Sequence, residues 1–244
     1  MSGNLLCVDV GNTVSKAAVF ENGERVAYCS GPELDVRLLA EWKRRFSLEH
    51  AVFSAVSDDI RLPMDAMRSL FTLHFPNRMP VPIKSAYRTP ETLGTDRLAC
   101  MVAASVLFPA TDVLVLQCGT CLTSDLLTAG AVYMGGGISP GLGMRFHALK
   151  EHTARLPLVR LHPDAPLYGQ STEASIQSGV FQGYLAELEG LILKYMAVYK
   201  DVNVILTGGD APVVKDKLKM AIFAFPDMVL YGLMEMLKYE LEKQ

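Results

Sequence analysis

The run Val8-Asp9-Val10-Gly11-Asn12-Thr13-Val14-Ser15-Lys16 puts a carboxylate, a glycine, two hydrogen-bonding side chains and a lysine within a few residues of one another. An acid closing an apolar run, followed by Gly-Asn-Thr, suits a turn whose backbone N–H groups form a concave nest for phosphate oxygens, with the carboxylate free to hold Mg²⁺. The same residues also suit an ordinary hairpin turn. A second run, Leu116-Gln117-Cys118-Gly119-Thr120-Cys121, repeats the apolar strand and the glycine–threonine bend and is followed by Asp125. It reads equally as a C-x-x-C. A reactive C-x-x-C opens a helix that lowers its thiol pKa, whereas Leu122 to Thr128 carries no helical period. Zinc would need a second ligand pair, and His50, His74, His147, His152 and His162 form no such set. The thiols are therefore expected to fill space beside a phosphate turn. Gln117 is neutral at the position where a phosphate-and-metal site would use a carboxylate.

The third chemical cluster is Leu93-Gly94-Thr95-Asp96-Arg97. Asp96 falls in the first turn of a helix, where a carboxylate is stabilised by the free N–H groups. It can instead accept a proton from a substrate hydroxyl, with Arg97 positioning an anionic group and Gly94 allowing close approach. Two glycine-rich stretches complete the set. Met134-Gly135-Gly136-Gly137 reads as a loop that lacks the spacing of a dinucleotide fingerprint. Ile205 to Pro212 reads as a strand running into Gly208-Gly209, where bare backbone suits a base or ribose, or a plain strand-to-helix turn.

The elements that must position these groups follow from periodicity. Apolar runs up to Asp9 and after it, with Asn22-Gly23 between alternating segments, predict a strand and a hairpin. Helices are expected over "DVRLLAEWKRRF", "LPMDAMRSLFTLHF" and "TDRLACMVAASVLFP", and a buried strand over "HAVFSAVS". Phe75 to Gly94, rich in proline, reads as a connector. The pattern then restarts: strand, turn, strand, turn, strand, the glycine-rich loop, a helix over "LGMRFHALKEHTARLPLV" with a proline stop, a long helix from Thr172, a strand over "VNVILT" and a closing helix from Asp227. Leu5–Phe20 and Leu114–Val132 are alike, so the chain is expected to be an α/β protein of two related lobes, 1–112 and 113–244, with its ligand in the cleft between them.

Composition narrows the class. A chain of 244 residues, 50% hydrophobic and 20% charged, with formal net charge −3, reads as a soluble globular protein. No basic run or aromatic–basic interleaving points to nucleic acid. The N-terminus lacks a signal-peptide pattern, and no apolar run approaches a membrane span. Five scattered cysteines, at 7, 29, 100, 118 and 121, suit reduced thiols and a cytoplasmic location.

Taken in order, D-x-G-N-T, L-G-T-D-R, the second G-T-x-x-T-x-D turn, G-G-x-I-x-P-G, "TARLP" and L-T-G-G-D-A resemble the type III pantothenate kinases, of the superfamily of acetate and sugar kinases, actin and the heat-shock ATPases. The resemblance runs over nearly the whole chain. It implies two related lobes of the actin-like, ribonuclease H-like ATPase type. It also implies that Asp9, Val10, Gly11, Asn12, Thr13, Val14, Ser15 and Lys16, with Thr120, bind ATP and Mg²⁺. Asp96 would be the proton acceptor, and Tyr87, Gly94, Thr95, Asp96 and Arg97 would hold pantothenate. Thr172 matches a substrate-contacting threonine supplied at a homodimer interface. The family's second turn opens on an aspartate that ligates a monovalent cation, K⁺ or NH₄⁺, and Gln117 stands there instead. A kinase acting on pantothenate is the reading this implies. The substitution at 117 supports the alternative of a nucleotide-binding accessory protein on the same fold.

Overall fold

The computed structural model describes residues 3–55 and 63–243. The first half runs β1 (Leu5–Val10), β2 (Ser15–Glu21), β3 (Glu24–Gly31), α1 (Val36–Phe46), β4 (His50–Ala55), α2 (Met64–Leu70), β5 (Thr72–His74), β6 (Lys84–Ser85) and α3 (Thr95–Leu107). The second runs β7 (Val113–Cys118), β8 (Cys121–Leu127), β9 (Val132–Pro140), α4 (Leu142–Glu151), α5 (Thr172–Val198), β10 (Asn203–Thr207), α6 (Ala211–Lys215), β11 (Phe223–Ala224) and α7 (Met228–Leu241). Two compact units result: Met1–Pro109 with Ala131–Tyr133 and Asp227–Gln244, and Ala110–Gly130 with Met134–Pro226. Among the described residues no helix is long and apolar enough to cross a membrane.

Unit 1 is built on a sheet ordered β3-β2-β1-β4-β5. Asn22 and Gly23, at φ 52° and 84°, close the β2–β3 hairpin in the left-handed turn that matches strand twist. β1 pairs antiparallel with β2 and parallel with β4. Leu6, Val8, Ala17, Val19 and Phe53 on one face pack with Leu39 and Trp42 of α1 and Met67 of α2. Each such side chain, taken out of water, contributes about 1.5–3 kcal/mol. Asp35 starts α1 by accepting the Arg37 N–H at 2.8 Å, and Ser47 ends it at φ 51°. α7 returns to this unit, packing on β1 and α3.

Four expectations need correction, the first being the helix expected over "LGMRFHALKEHTARLPLV", which ends at Glu151 and does not run to its proline. The segment "LPMDAMRSLFTLHF" is not one helix: α2 ends at Leu70, Phe71 turns extended, and Thr72–His74 forms an edge strand parallel to β4. A free strand edge offers those three residues ladder bonds that outweigh a further helical turn. The Phe75–Gly94 connector contains the short strand β6 and two 3₁₀ turns, Pro76–Arg78 and Pro90–Thr92. The glycines 135–137 lie inside β9 rather than in a loop, because a Cβ at Gly136 would fall on the Ser124 carbonyl oxygen of β8. The strand "HAVFSAVS" is observed as far as Ala55. Its last two residues, and Leu62 at the head of the next segment, lie outside the described residues.

Unit 2 repeats the theme. β7 pairs antiparallel with β8 and parallel with β10, and β11 extends β10 in parallel. The order β9-β8-β7-β10-β11 thus reproduces β3-β2-β1-β4-β5. α5, capped by Ser171 accepting from Ala174 N at 3.2 Å, lays Phe181, Tyr184, Leu188 and Ile192 against Leu114, Leu116 and Leu126.

One packing contact in unit 1 is sharp enough to test. In an open helix Gly→Ala stabilises by about 1 kcal/mol, but a Cβ at Gly232 of α7 would fall on the Ala99 carbonyl of α3. Gly232→Ala is expected to lower stability by about 2 kcal/mol net, read by denaturant unfolding.

Candidate active site

Unit 1 gathers one group of chemical residues around the end of β1. In the strand register Asp9 stands between Lys16 of β2 and Ser54 of β4, so all three side chains share one face of the sheet. Gly11 lets the turn close, since a Cβ there would sit 2.8 Å from the Val14 carbonyl oxygen. Asn12, Thr13 and Val14 remain exposed at its tip. Ser54 is buried, and its Oγ lies 2.7 Å from Thr95 Oγ1. Because the Ser54 hydroxyl donates to the Asp9 carboxylate, the Thr95 hydroxyl is the donor in the Ser54–Thr95 bond. A chain of single hydroxyl protons therefore links the start of α3 to Asp9.

The Asp9 carboxylate is poorly compensated. Its Oδ1 is buried with no hydrogen-bond partner among the described residues. Burial, then the charge of Asp96, push its pKa up to about 7, while the Ser54 hydroxyl and Lys16 pull the other way. A pair of carboxylates with an unsatisfied buried oxygen is a donor set for a hard divalent cation, and these residues fit Mg²⁺.

The second group opens α3. Gly94 is the N-cap, and a Cβ there would lie 2.6 Å from Asp96 Oδ1. The missing side chain thus leaves room for Asp96 to fold back over the helix N-terminus, where the peptide dipoles favour negative charge. Arg97 is buried, with its guanidinium carbon 5.6 Å from the Tyr87 ring centroid. A carboxylate, a buried cation and a flat aromatic side chain come together here.

Unit 2 holds the remaining expected residues. Gly119 and Thr120 form the bend between β7 and β8, with Gly119 N bonded to Cys121 O at 3.1 Å and Thr120 exposed. Of the two readings of Gly208, bare backbone for a nucleotide or a strand-to-helix turn, the structure has the turn between β10 and α6, and Gly141 opens α4 in the same way. Both lie against the protein's own turn: a Cβ at Gly141 would strike the Gly119 carbonyl, and one at Gly208, at φ 97°, the Cys118 carbonyl. Asp210 N donates to that Cys118 carbonyl at 2.9 Å, and Gly141 N to the Thr120 carbonyl at 3.1 Å. Asp125, which follows the second turn, is buried in β8 and accepts from Thr123 Oγ1 at 3.0 Å. Burial pushes the Cys118 thiol up to about 11, the opposite of a reactive thiolate. Gln117, half-buried, lies in register with Thr123 and Thr207. Thr172 is the first residue of α5 and lines a cavity of about 1250 Å³ with Arg145, His152 and Ser171. Ser54 and Tyr133, which stacks on Tyr87, escaped notice in the sequence because only strand pairing brings them to these groups.

The duplicated sheet identifies the fold class as that of the actin-like ATPases and sugar kinases. Among solved structures, the chain matches ethanolamine utilization protein EutJ from Carboxydothermus hydrogenoformans with a TM-score of 0.52 at 13% identity, over 96% of this chain and 89% of that one. It matches component A of (R)-2-hydroxyglutaryl-CoA dehydratase from Acidaminococcus fermentans at 0.50 and 14%, over 99% of each. Sequence narrows the class to a family. The model of the type III pantothenate kinases matches residues 5–194. A type III pantothenate kinase of Phocaeicola vulgatus is 40% identical over 96% of this chain and 98% of its own length. One of Cytophaga hutchinsonii is 38% identical over the same shares. The chain belongs to the type III pantothenate kinase family, and with it to the phosphotransferases that act on an alcohol group.

The electrostatics of Asp9 carry a signed consequence. Its folded-state pKa near 7 lies above the unfolded carboxyl value of 3.8, so the folded protein holds this proton more tightly, and stability is lost as pH rises between those values. In metal-free buffer, Asp9→Asn is expected to match wild type at pH 4 and to exceed it by about 4 kcal/mol at pH 8. Urea unfolding at the two pH values measures this, and an Asn variant with no advantage at pH 8 would contradict the buried-charge account.

Proposed function

We propose that the protein transfers the γ-phosphoryl group of ATP to the primary hydroxyl of pantothenate, yielding ADP and 4′-phosphopantothenate, the opening step of coenzyme A synthesis. The observation that carries this reading is the Asp9–Ser54–Thr95 chain ending beside Asp96, in a chain that belongs to this kinase family. Membership also favours turnover over a non-catalytic accessory role.

In the proposed mechanism Asp96 accepts the hydroxyl proton as the pantothenate oxygen forms its bond to the γ-phosphorus and the bond to the bridging oxygen of ADP breaks. Arg97 and Tyr87 hold the pantothenate carboxylate, with Gly94 and Thr95 lining its approach. The turn from Asp9 to Lys16 donates backbone N–H groups and the Lys16 ammonium to ATP phosphates, and Thr120 donates from the second turn. Mg²⁺, held on the Asp9 side, would supply charge neutralisation for the phosphates. At Gln117 an amide oxygen can still meet K⁺ or NH₄⁺, but it brings no charge, so the ion is bound more weakly than by a carboxylate. Thr172 contributes to substrate binding in a homodimer.

An ADP-coupled assay with pantothenate tests the reading. Asp96→Asn is expected to lower kcat by about 10²–10⁴-fold while ATP binding by calorimetry is retained; ATP binding without pantothenate turnover in wild type would sink it. In the same assay Gln117→Asp is expected to lower the K⁺ concentration needed for half-activation.

A further inference from the structure

Tyr87 lies just past β6, and the connector that carries it is fastened to the first residues of β9. The two strands pair in parallel at Lys84↔Val132 and Ser85↔Tyr133. Lys84 N donates to Ala131 O and Ala86 N to Tyr133 O, both at 2.9 Å. Backbone pairing fixes where the connector runs, but it leaves the Tyr87 ring free to turn about its own side-chain bonds. The Tyr133 side chain removes that freedom. It is fully buried, and its ring lies 3° from parallel with Tyr87 at a centroid distance of 5.9 Å, an offset stack. Tyr87 in turn lies under the Arg97 guanidinium. A flat side chain shut off from water thus orients a half-exposed one, which orients a cation.

We propose that Tyr133 is a positioning residue for the acceptor: by holding the plane of Tyr87 it fixes the Arg97 guanidinium that receives the anionic end of the substrate. This rests on the reading of Tyr87 and Arg97 as pantothenate-binding residues. A guanidinium binds a carboxylate through a planar fork, so its orientation matters as well as its position. Tyr133 touches neither reacting atoms nor phosphates in this account, so its loss acts on one substrate only.

The test is steady-state kinetics on variants that change the flat ring while filling its volume. Tyr133→Phe keeps the stack and is expected to behave as wild type. Tyr133→Leu is expected to raise the KM for pantothenate about fivefold, the order of one aromatic stack, with the KM for ATP and kcat within twofold. Tyr133→Met does the same task should the Leu variant not fold. In a double-mutant cycle Tyr87→Leu and Tyr133→Leu are expected to be non-additive in pantothenate KM. An unmoved pantothenate KM, an equal rise for both substrates, or additive effects would overturn the inference while leaving the kinase reading intact. A wild-type protein that turns over no pantothenate removes that reading and this inference with it.

Discussion

Shutting a carboxylate oxygen away from both water and any donor costs free energy, and among the described residues of unit 1 this occurs at Asp9 Oδ1. Val8 and Val10 are core residues of a central strand, and their burial on one face fixes Asp9 on the other. The ladder gives it a lysine on one neighbour and a serine on the other. These do not offset burial and the nearby charge of Asp96, and the carboxyl stays raised to about 7. Such a group is stabilised by a proton or by a cation. The cost of holding the ionised carboxylate without a partner is therefore the same quantity that a cation placed there would relieve.

Each of the two turns is held within its own unit by backbone against backbone. Gly11 lets the first turn fold onto its own Val14 carbonyl, and Gly141 and Gly208 let two distant segments press on the second turn. Hydrogen bonds from Asp210 N and Gly141 N to carbonyls of that second turn tie it further. Turns fixed in this way hold their N–H groups oriented before a ligand arrives, which lowers the reorganisation that binding and catalysis must overcome. The cysteines beside the second turn belong to this packing: Cys118 is sealed under it against α5, where Tyr184 also lies.

The groups legible in the sequence were those whose chemistry is local. Asp9, Gly11 and Lys16 lie in one strand–turn–strand segment, and Asp96 and Arg97 within the first turn of a helix, so spacing alone brought them to notice. The duplication was legible too, as two strand–turn–strand segments. Ser54, Tyr133 and the purpose of Gly208 were not, because each acquires its role from a strand or turn far away in the chain. The same reason hid β5: "TLH" carries no signal stronger than the helix before it, and only the open edge of β4 decides its state. Closing helix α7 was visible as an apolar helix, but its periodicity does not say which sheet it covers.

The duplication also gives Asp9 a neutral counterpart in unit 2. Asp9 is the penultimate residue of β1, paired with Lys16 and Ser54; Gln117 is the penultimate residue of β7, paired with Thr123 and Thr207. The two positions are structural counterparts with different neighbours. In unit 1 a lysine stands beside the acid. In unit 2 both neighbours are buried threonines, and one of them already donates to the buried carboxylate of Asp125, whose place in the register puts it on the same face as Gln117. An acid at 117 would add a second negative charge to that face with no lysine in the row to balance it, a repulsion that a bound cation has to relieve. A glutamine leaves the row neutral and stable without an ion. The exchange between acid and amide therefore acts on the charge of this row, while the strand and the turn that carry it keep the same backbone pairing.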